Sequence, residues 1–498
     1  MSEERKEQIA EAEISEDEIR AVRVAKLEEL TARGENPYEN TRFERTHSSR
    51  QIKENVESLT GSTVRIAGRM ISKRIMGKAS FAHLLDGEGQ IQLYLKIDVL
   101  GDKYADFKKY DIGDIVGVTG DIFVTHKGET SVAVTDIVLL SKSLLPLPEK
   151  WHGLKDNDLR YRRRYVDLIA NPEVRETFKK RAKIISAIRG LLDGEGFTEV
   201  ETPILNTIAG GASARPFVTH HNTLNLDMYM RIAPELYLKR LIVGGLEKVY
   251  ELGRMFRNEG MDIKHNPEFT MMELYEAYAD YHDMMDITER IYGAVIKALG
   301  CGEKITYQGT EIDMTFPWRR LTMREAVKEY TGLDFGGMSF EAAYKAAESK
   351  GVQLDSKTDC LGRVLYETFD QLVEKQLIQP TFITEYPIEV SPLAKRDKSD
   401  KSMTYRFELF MNGMEMGNAY SELNDPIDQK GRFDAQAKLK EKGDEEAQSS
   451  DDDFVTALEY GLPPTGGLGL GIDRMVMLFT DCSSIRDVLL FPTMKPRK

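Results

Sequence analysis

The sequence predicts two fold classes in series. A small closed five-stranded β-barrel comes first, followed by a larger α+β domain with an antiparallel sheet flanked by helices. Three observations carry this reading. The chain has 498 residues, too many for one compact core. Between 62 and 142 the texture is short β-type runs broken by glycine. Beyond about 176, helical stripes and strand runs follow one another without the regular alternation of a parallel sheet.

In chain order, Ser15 and Glu18 read as a capping box. Ile19, Val22, Leu27 and Leu30 then recur at helical spacing up to Gly34, so 16–33 is one amphipathic helix within an N-terminal extension, 1–61. The runs 63–71, 80–85, 91–95, 115–124 and 131–140 read as strands, with Asp86-Gly87 and Lys127-Gly128 as turn signals. Five strands of this length suit the OB fold for 62–142. A linker is expected over 143–175, with Pro146 and Pro148 followed by Leu159-Arg160-Tyr161-Arg162-Arg163-Arg164-Tyr165. The last domain, 176–498, opens with a stripe of Phe178, Ile185, Ile188 and Leu192 and then a strand over 197–200. The charged stretch 429–453 reads as a solvated helix followed by a loop. No internal repeat is visible.

Composition narrows the function. Apolar residues at 41% and charged residues at 30% describe an ordinary globular protein, and no apolar run is long enough to span a bilayer. An acidic start is not a secretory signal, and Cys301, Cys360 and Cys482 lie too far apart for a disulfide framework or a C-x-x-C zinc site. A reducing cytoplasm is therefore expected, with neither membrane nor DNA as partner. A net charge of −14 argues against a generic nucleic-acid binder, so any RNA contact needs a local basic patch. Arg65, Arg69, Lys73, Arg74 and Lys78 supply one on the barrel.

Two segments carry chemistry. In Phe256-Arg257-Asn258-Glu259, a strand would place Arg257 and Glu259 on one face. Arg257 can clamp a carboxylate or phosphate, Glu259 can accept from an amine, and Phe269, after His265-Asn266-Pro267-Glu268, offers a stacking surface. In Gly466-Gly467-Leu468-Gly469-Leu470-Gly471-Ile472-Asp473-Arg474, alternate glycines admit a close approach to the backbone, and Arg474 at a helix start can meet a polyphosphate. The spacing is not that of a dinucleotide-binding fingerprint, and Gly77-Lys78-Ala79 is not a P-loop.

Together these segments resemble motifs 2 and 3 of the class II aminoacyl-tRNA synthetases, and Gly196-Phe197-Thr198-Glu199-Val200-Glu201-Thr202-Pro203 resembles motif 1. The class I signatures are absent. A leading OB barrel is similar to subclass IIb, and the detailed match, over nearly the whole chain, is to the bacterial-type lysyl-tRNA synthetases. The resemblance implies ATP-dependent activation of L-lysine to an adenylate with loss of pyrophosphate, transfer to the 3′ end of tRNA(Lys), Mg2+ as cofactor, and a homodimer.

A lysine pocket needs carboxylates, and an aspartate pocket the reverse. The resemblance places the ε-ammonium on Glu422 and Tyr275, with Tyr420 on its methylene stem where some members have phenylalanine. It places the α-amino group on Glu235 and the Gly211 backbone, and the carboxylate on Arg257 and Asn418. Glu273 is a further carboxylate candidate: with Tyr275 it shares a face with Phe269 and Met271, all being odd-numbered. ATP would be held by Arg257, Glu259, His265, Asn266, Phe269, Glu408 and Arg474, with Arg257 and Arg474 as the catalytic cations. Glu408 and Glu415 flank the turn Asn412-Gly413, which would set 410 opposite 415 and 408 opposite 417 and let the two carboxylates share hard cations. Strict alternation would turn Asn418, Tyr420 and Glu422 away from Glu415, so a bulge near Gly417 is expected. His220-His221 is assigned no chemistry. On the barrel, the resemblance stacks Phe81 on an anticodon uridine, with Gln92, Arg74 and Glu129 reading its edges; a core role for Phe81 is equally open, as is a tRNA or a hinge role for 160–165.

Three other readings compete. Aspartyl- or asparaginyl-tRNA synthetases disagree with the acidic pocket residues. A relative that modifies proteins would lack the barrel. A catalytically dead relative would lack Arg257, Glu408, Glu415 or Arg474, and all are present.

Overall fold

The computed structural model describes residues 15–148, 154–208, 210–212, 214–355, 358–441 and 450–497. The chain divides into two compact units, with the boundary between residues 155 and 156.

In the first unit the helix Glu16–Ala32 starts at the expected capping box, with Glu18 N donating to Ser15 Oγ (3.2 Å) and Ser15 N to Glu18 Oε2 (2.9 Å). Strands β1 (Thr63–Met76), β2 (Ala79–Leu85), β3 (Gln90–Lys96), β4 (Ile115–Val124) and β5 (Thr130–Ser141) close into a barrel in the order β1-β2-β3-β5-β4. Alternation fills its interior: Val64 and Ile66, Ala82 and Leu84, Leu93 and Leu95, Val116 and Val118 are all buried. β1 is longer than expected because it bends at a bulge between Met70 and Ser72, pairing with β4 before it and mainly with β2 after it. A side chain at Gly68 or Gly120 would collide with the carbonyl of Leu85 or Ala133, so glycine permits the close strand approach at these crossings.

The second unit carries short strands β6 (Thr198–Glu199), β7 (Leu205–Asn206), β8 (Val218–His221) and β9 (Leu226–Met230), then β10 (Lys248–Phe256) and β11 (Glu268–Ala277). After them come the hairpin β12 (Lys304–Tyr307) and β13 (Thr310–Asp313), then β14 (Arg319–Thr322), β15 (Thr381–Thr384), β16 (Arg406–Met411), β17 (Met414–Ser421) and β18 (Thr465–Gly471). Eight of them form one sheet, β14-β15-β16-β17-β18-β11-β10-β6, antiparallel except for its two end pairs. The expected strand over 197–200 is only the two-residue edge strand β6. One face of the sheet is sealed by Phe407, Leu409, Met416, Leu468 and Leu470 against the helices Pro172–Gly194, Tyr281–Leu299 and Ile472–Thr480. The other face is left for the site.

Residues expected in the linker, from 156 to 175, are instead helical and belong to the second unit. Arg164 is fully buried, bonded to Asp167 (2.6 Å) and to the carbonyls of Arg486 (2.8 Å) and Leu489 (3.2 Å). For Arg164 the structural alternative therefore holds. Between β14 and β15 the helices Met323–Thr331, Phe340–Ser349 and Leu361–Leu372 build a core of their own, an insertion that the strand and turn signals did not announce. In the charged stretch, the helix Pro426–Glu441 is present and 442–449 lie outside the described residues. No helix among the described residues is long and apolar enough to cross a membrane.

Candidate active site

The open sheet face floors a cavity of about 650 Å³. Its geometry begins with the glycines of β18. Gly467 stands opposite Tyr275 on one side and Tyr420 on the other, Gly469 opposite Glu273 and Asn418, and Gly471 opposite Met271. A Cβ at Gly467 would collide with Glu422 Oε1 and the Tyr275 ring, so a side-chain-free strand lets the flanking residues lean inward. Phe269, Met271, Glu273 and Tyr275 line the cavity together, as the period of two requires.

The expected bulge lies in β17. Phe410 pairs with Glu415 but Leu409 pairs with Gly417, so Met416 is the extra residue. Parity switches there: Glu415, Asn418 and Tyr420 all face the cavity, while Ala419 is buried and does not line it. The same bulge corrects one pairing, since Glu408 stands opposite Asn418 rather than Gly417. Glu408 and Glu415 nonetheless both line the cavity.

A second correction concerns Arg257 and Glu259. β10 ends at Phe256, so both residues lie beyond the strand rather than on it. Arg257 N still donates to Pro267 O (2.9 Å), but proline has no N–H to return the bond and the ladder stops. Arg257 then folds over the Phe269 ring, 5.1 Å from its centroid, and lines the cavity with Glu259, His265 and Asn266. Its Nε has no hydrogen-bond partner among the described residues. Burial pulls its pKa below the ordinary range against the opposing pull of Glu259, Glu415 and Glu273. Arg474, in the first turn of Ile472–Thr480, donates to Glu415 O (2.6 Å) and Oε2 (3.3 Å). The His265 ring nitrogen Nε2 lies 3.4 Å from its guanidinium, and Nδ1 lies 2.9 Å from Asp262.

Glu408 accepts from Arg406 Nη2 (2.6 Å) on one oxygen and from Tyr386 Oη (2.8 Å) on the other. Burial, with Glu415 beside it, pushes its carboxyl up to about 7. Arg406 also reaches Asn418 Oδ1 (3.0 Å) and Val390 O (2.7 Å). Two carboxylates with spare oxygen lone pairs suit a hard divalent cation, but no group of three potential ligands occurs among the described residues, so bound phosphates would have to complete its shell.

At the other end, Glu235 opens the helix Glu235–Val243, and Gly211 sits against it at φ 88°. Tyr420 Oη donates to Glu235 Oε1 (2.6 Å), and Tyr275 Oη to Glu273 Oε2 (3.1 Å). Burial, reinforced by Glu235, pushes Glu273 up to about 8. Glu422 is fully buried, is not among the residues that line the cavity, and pairs with Lys239, a residue the sequence reading did not single out. Its only signal was its place one helical turn after Glu235. Arg406, Tyr386, Tyr366 and Glu389 were missed as well. Glu389 and Tyr366 come from the insertion and the loops around it, which carried no motif.

In the first unit, Phe81 lies on the outer barrel face and stacks on Tyr94, with centroids 4.9 Å apart. Gln92 Nε2 donates to Glu129 Oε2 (2.8 Å), and Arg74 is exposed opposite Phe81. These residues form one outward platform, and Phe81 is not core. His220 is exposed and paired with Asp227 (2.7 Å).

One cavity thus brings the cations Arg257 and Arg474 and the carboxylates Glu235, Glu259, Glu273, Glu408 and Glu415 together over a glycine floor. Residues 156–495 match the tRNA synthetases class II (D, K and N), and 64–140 match the OB-fold nucleic acid binding domain. The chain belongs to the class II tRNA synthetase family. This synthetase is 59% identical to a lysine–tRNA ligase of Thermoanaerobacter sp. (strain X514) over 96% of both chains. It is 58% identical to one of Pelotomaculum thermopropionicum, over 97% of this chain and 96% of the relative. To one of Clostridium perfringens it is 56% identical over 98% of both.

Proposed function

We infer that this synthetase activates L-lysine with ATP and transfers it to tRNA(Lys). The observation that carries this reading is the carboxylates gathered around Tyr275 and Tyr420: Glu235 and Glu273 line the cavity with Arg257 and Arg474, and Glu422 is buried against Lys239. Arg257 and Arg474 suit a polyphosphate, and the carboxylates suit an amino acid with a second ammonium. An aspartate pocket would need cations in their place.

In the first step the lysine carboxylate attacks the α-phosphorus of ATP and pyrophosphate leaves. Arg257 holds the carboxylate with Asn418. Arg257 and Arg474 also stabilise the charge that develops on the phosphoryl oxygens. Phe269 stacks on the base, with Glu259, His265 and Asn266 around the nucleotide. Glu408 and Glu415 would hold Mg2+, which supplies further charge neutralisation at the phosphates. Glu235 and the Gly211 backbone receive the α-amino group. Glu422 and Tyr275 receive the ε-ammonium, with Glu273 beside them and Tyr420 along the stem. The terminal ribose hydroxyl of tRNA then attacks the activated carbonyl, forming the ester as the acyl–phosphate bond breaks, AMP leaves and the hydroxyl proton is released. No side-chain nucleophile is required, because positioning and electrostatics suffice.

On the barrel, Phe81 offers a stacking platform for an anticodon base, flanked by Gln92, Arg74 and Glu129. A homodimer through the motif 1 segment is supported by Ile204, Leu205 and Ile208, which stand exposed beside it.

The test is pyrophosphate exchange into ATP with magnesium, one amino acid at a time and without tRNA. Exchange with lysine alone is expected. Exchange with aspartate or asparagine instead would overturn the pocket assignment while leaving the fold intact.

A further inference from the structure

The helix Glu235–Val243 turns inward one side chain that the chemistry above does not use. Lys239 lies one turn after Glu235 on the same helix face and is fully buried. Its Nζ is 2.5 Å from Glu235 Oε1 and in direct contact with Glu422 Oε2. The rings of Tyr275, Tyr420 and Phe454 surround it at 6.0, 5.5 and 5.7 Å. A single ammonium therefore joins the carboxylate assigned to the substrate's α-amino group to the one assigned to its ε-ammonium. Burial works against that charge, but Glu235 and then Glu422 hold the Lys239 ammonium above its ordinary range. Stability is a poor reason for such a cluster, since apolar residues of similar volume fill a buried site at least as well.

We propose that Lys239 is a positioning residue that ties Glu235 to Glu422 and sets the spacing by which the pocket selects lysine. The proposal rests on the assignment of Glu235 and Glu422 as substrate anchors. Lys239 holds the two anchor carboxylates on one ammonium. Without it the anchors, no longer bridged, are free to close on a shorter substrate.

The test uses the full-length protein with Lys239→Met, which keeps length and volume and removes the charge. Exchange is measured with lysine and with ornithine, one methylene shorter, across a range of pH. The expected result is an unfolding temperature and a KM for ATP close to wild type, with KM for lysine raised about tenfold or more. The preference for lysine over ornithine falls by about tenfold. KM for lysine also falls more steeply with rising pH than in wild type. Glu422, left beside Glu235 without its cation, then holds a proton that substrate has to displace, within reach of Glu273, Tyr275, Tyr420 and Lys395. Lys239→Arg, which keeps the charge, restores the wild-type pH slope.

A folded Lys239→Met with unchanged lysine KM and preference overturns the proposal. So does a raised KM with the wild-type pH slope and preference, which marks a merely structural role. Should Lys239→Met not fold, Lys239→Gln is read by the same two measures. Glu422→Gln separates the proposal from its premise. An unchanged lysine KM in Glu422→Gln removes the anchor assignment. A raised one there, without an effect in Lys239→Met, removes this proposal alone.

Discussion

Arg257 reaches the cavity because Pro267 ends the strand pairing beside it. One missing N–H frees the guanidinium from the sheet and lays it over Phe269, where its position depends on the ring rather than on the ladder. Arg257→Ala should lower lysine-dependent exchange by about a thousandfold, about 4 kcal/mol of transition-state stabilisation. Circular dichroism should be unchanged. Equal activity in the variant would remove Arg257 from the chemistry. Glu273 gives a pH prediction. Its folded pKa is raised to about 8, so at neutral pH it is largely protonated and a poor partner for an ammonium. As pH rises towards that value it ionises, and KM for lysine should fall; in Glu273→Gln this limb should disappear. A KM that does not vary over this range in wild type would separate Glu273 from substrate binding.

Two strands make the site at the next scale. β18 contributes almost no side-chain bulk, and β17 contributes a one-residue shift of parity. The glycine run was plain in the sequence because its spacing alternates. The bulge was legible only as a conflict, since Glu415 and Asn418 could share a face no other way. Gly467→Ala tests the floor. The added methyl would meet Glu422 and Tyr275, so KM for lysine should rise by about tenfold or more, with KM for ATP nearly unchanged. A variant with wild-type lysine KM would show that those side chains have room to move.

At the scale of the molecule, activation and RNA reading belong to separate units, each with its own core. Phe81→Ala on the barrel should therefore leave exchange without tRNA unchanged. It should raise KM for tRNA in aminoacylation by about tenfold or more, as loss of one base-stacking contact of about 1–3 kcal/mol implies. An equal loss in both assays would place Phe81 in folding rather than recognition. Chelating magnesium should abolish exchange while leaving lysine binding measurable by calorimetry, because Glu408 and Glu415 are not among the side chains assigned to the amino acid. Loss of lysine binding on chelation would contradict that separation.

By itself the sequence determined what depends on short-range spacing. The five barrel strands followed from alternation and turn residues, the capped helix at Glu16 from Ser15 and Glu18, and the common face of Glu273 and Tyr275 from a period of two. The motif residues were legible because catalysis demands particular side chains at particular offsets. Only tertiary structure decided which groups meet across long separations. Lys239 and Glu422 are 183 positions apart, so no local rule announces their contact. Arg164, equally open as a tRNA contact or a structural residue on sequence alone, is buried against the carbonyls of Arg486 and Leu489. The insertion between β14 and β15 obeys ordinary helix rules, and its place beside the cavity was set by the order of strands in the sheet. The physical reason is the same throughout. Backbone geometry and solvation act over a few residues and are written locally, whereas pairing a buried charge depends on what the whole fold brings next to it.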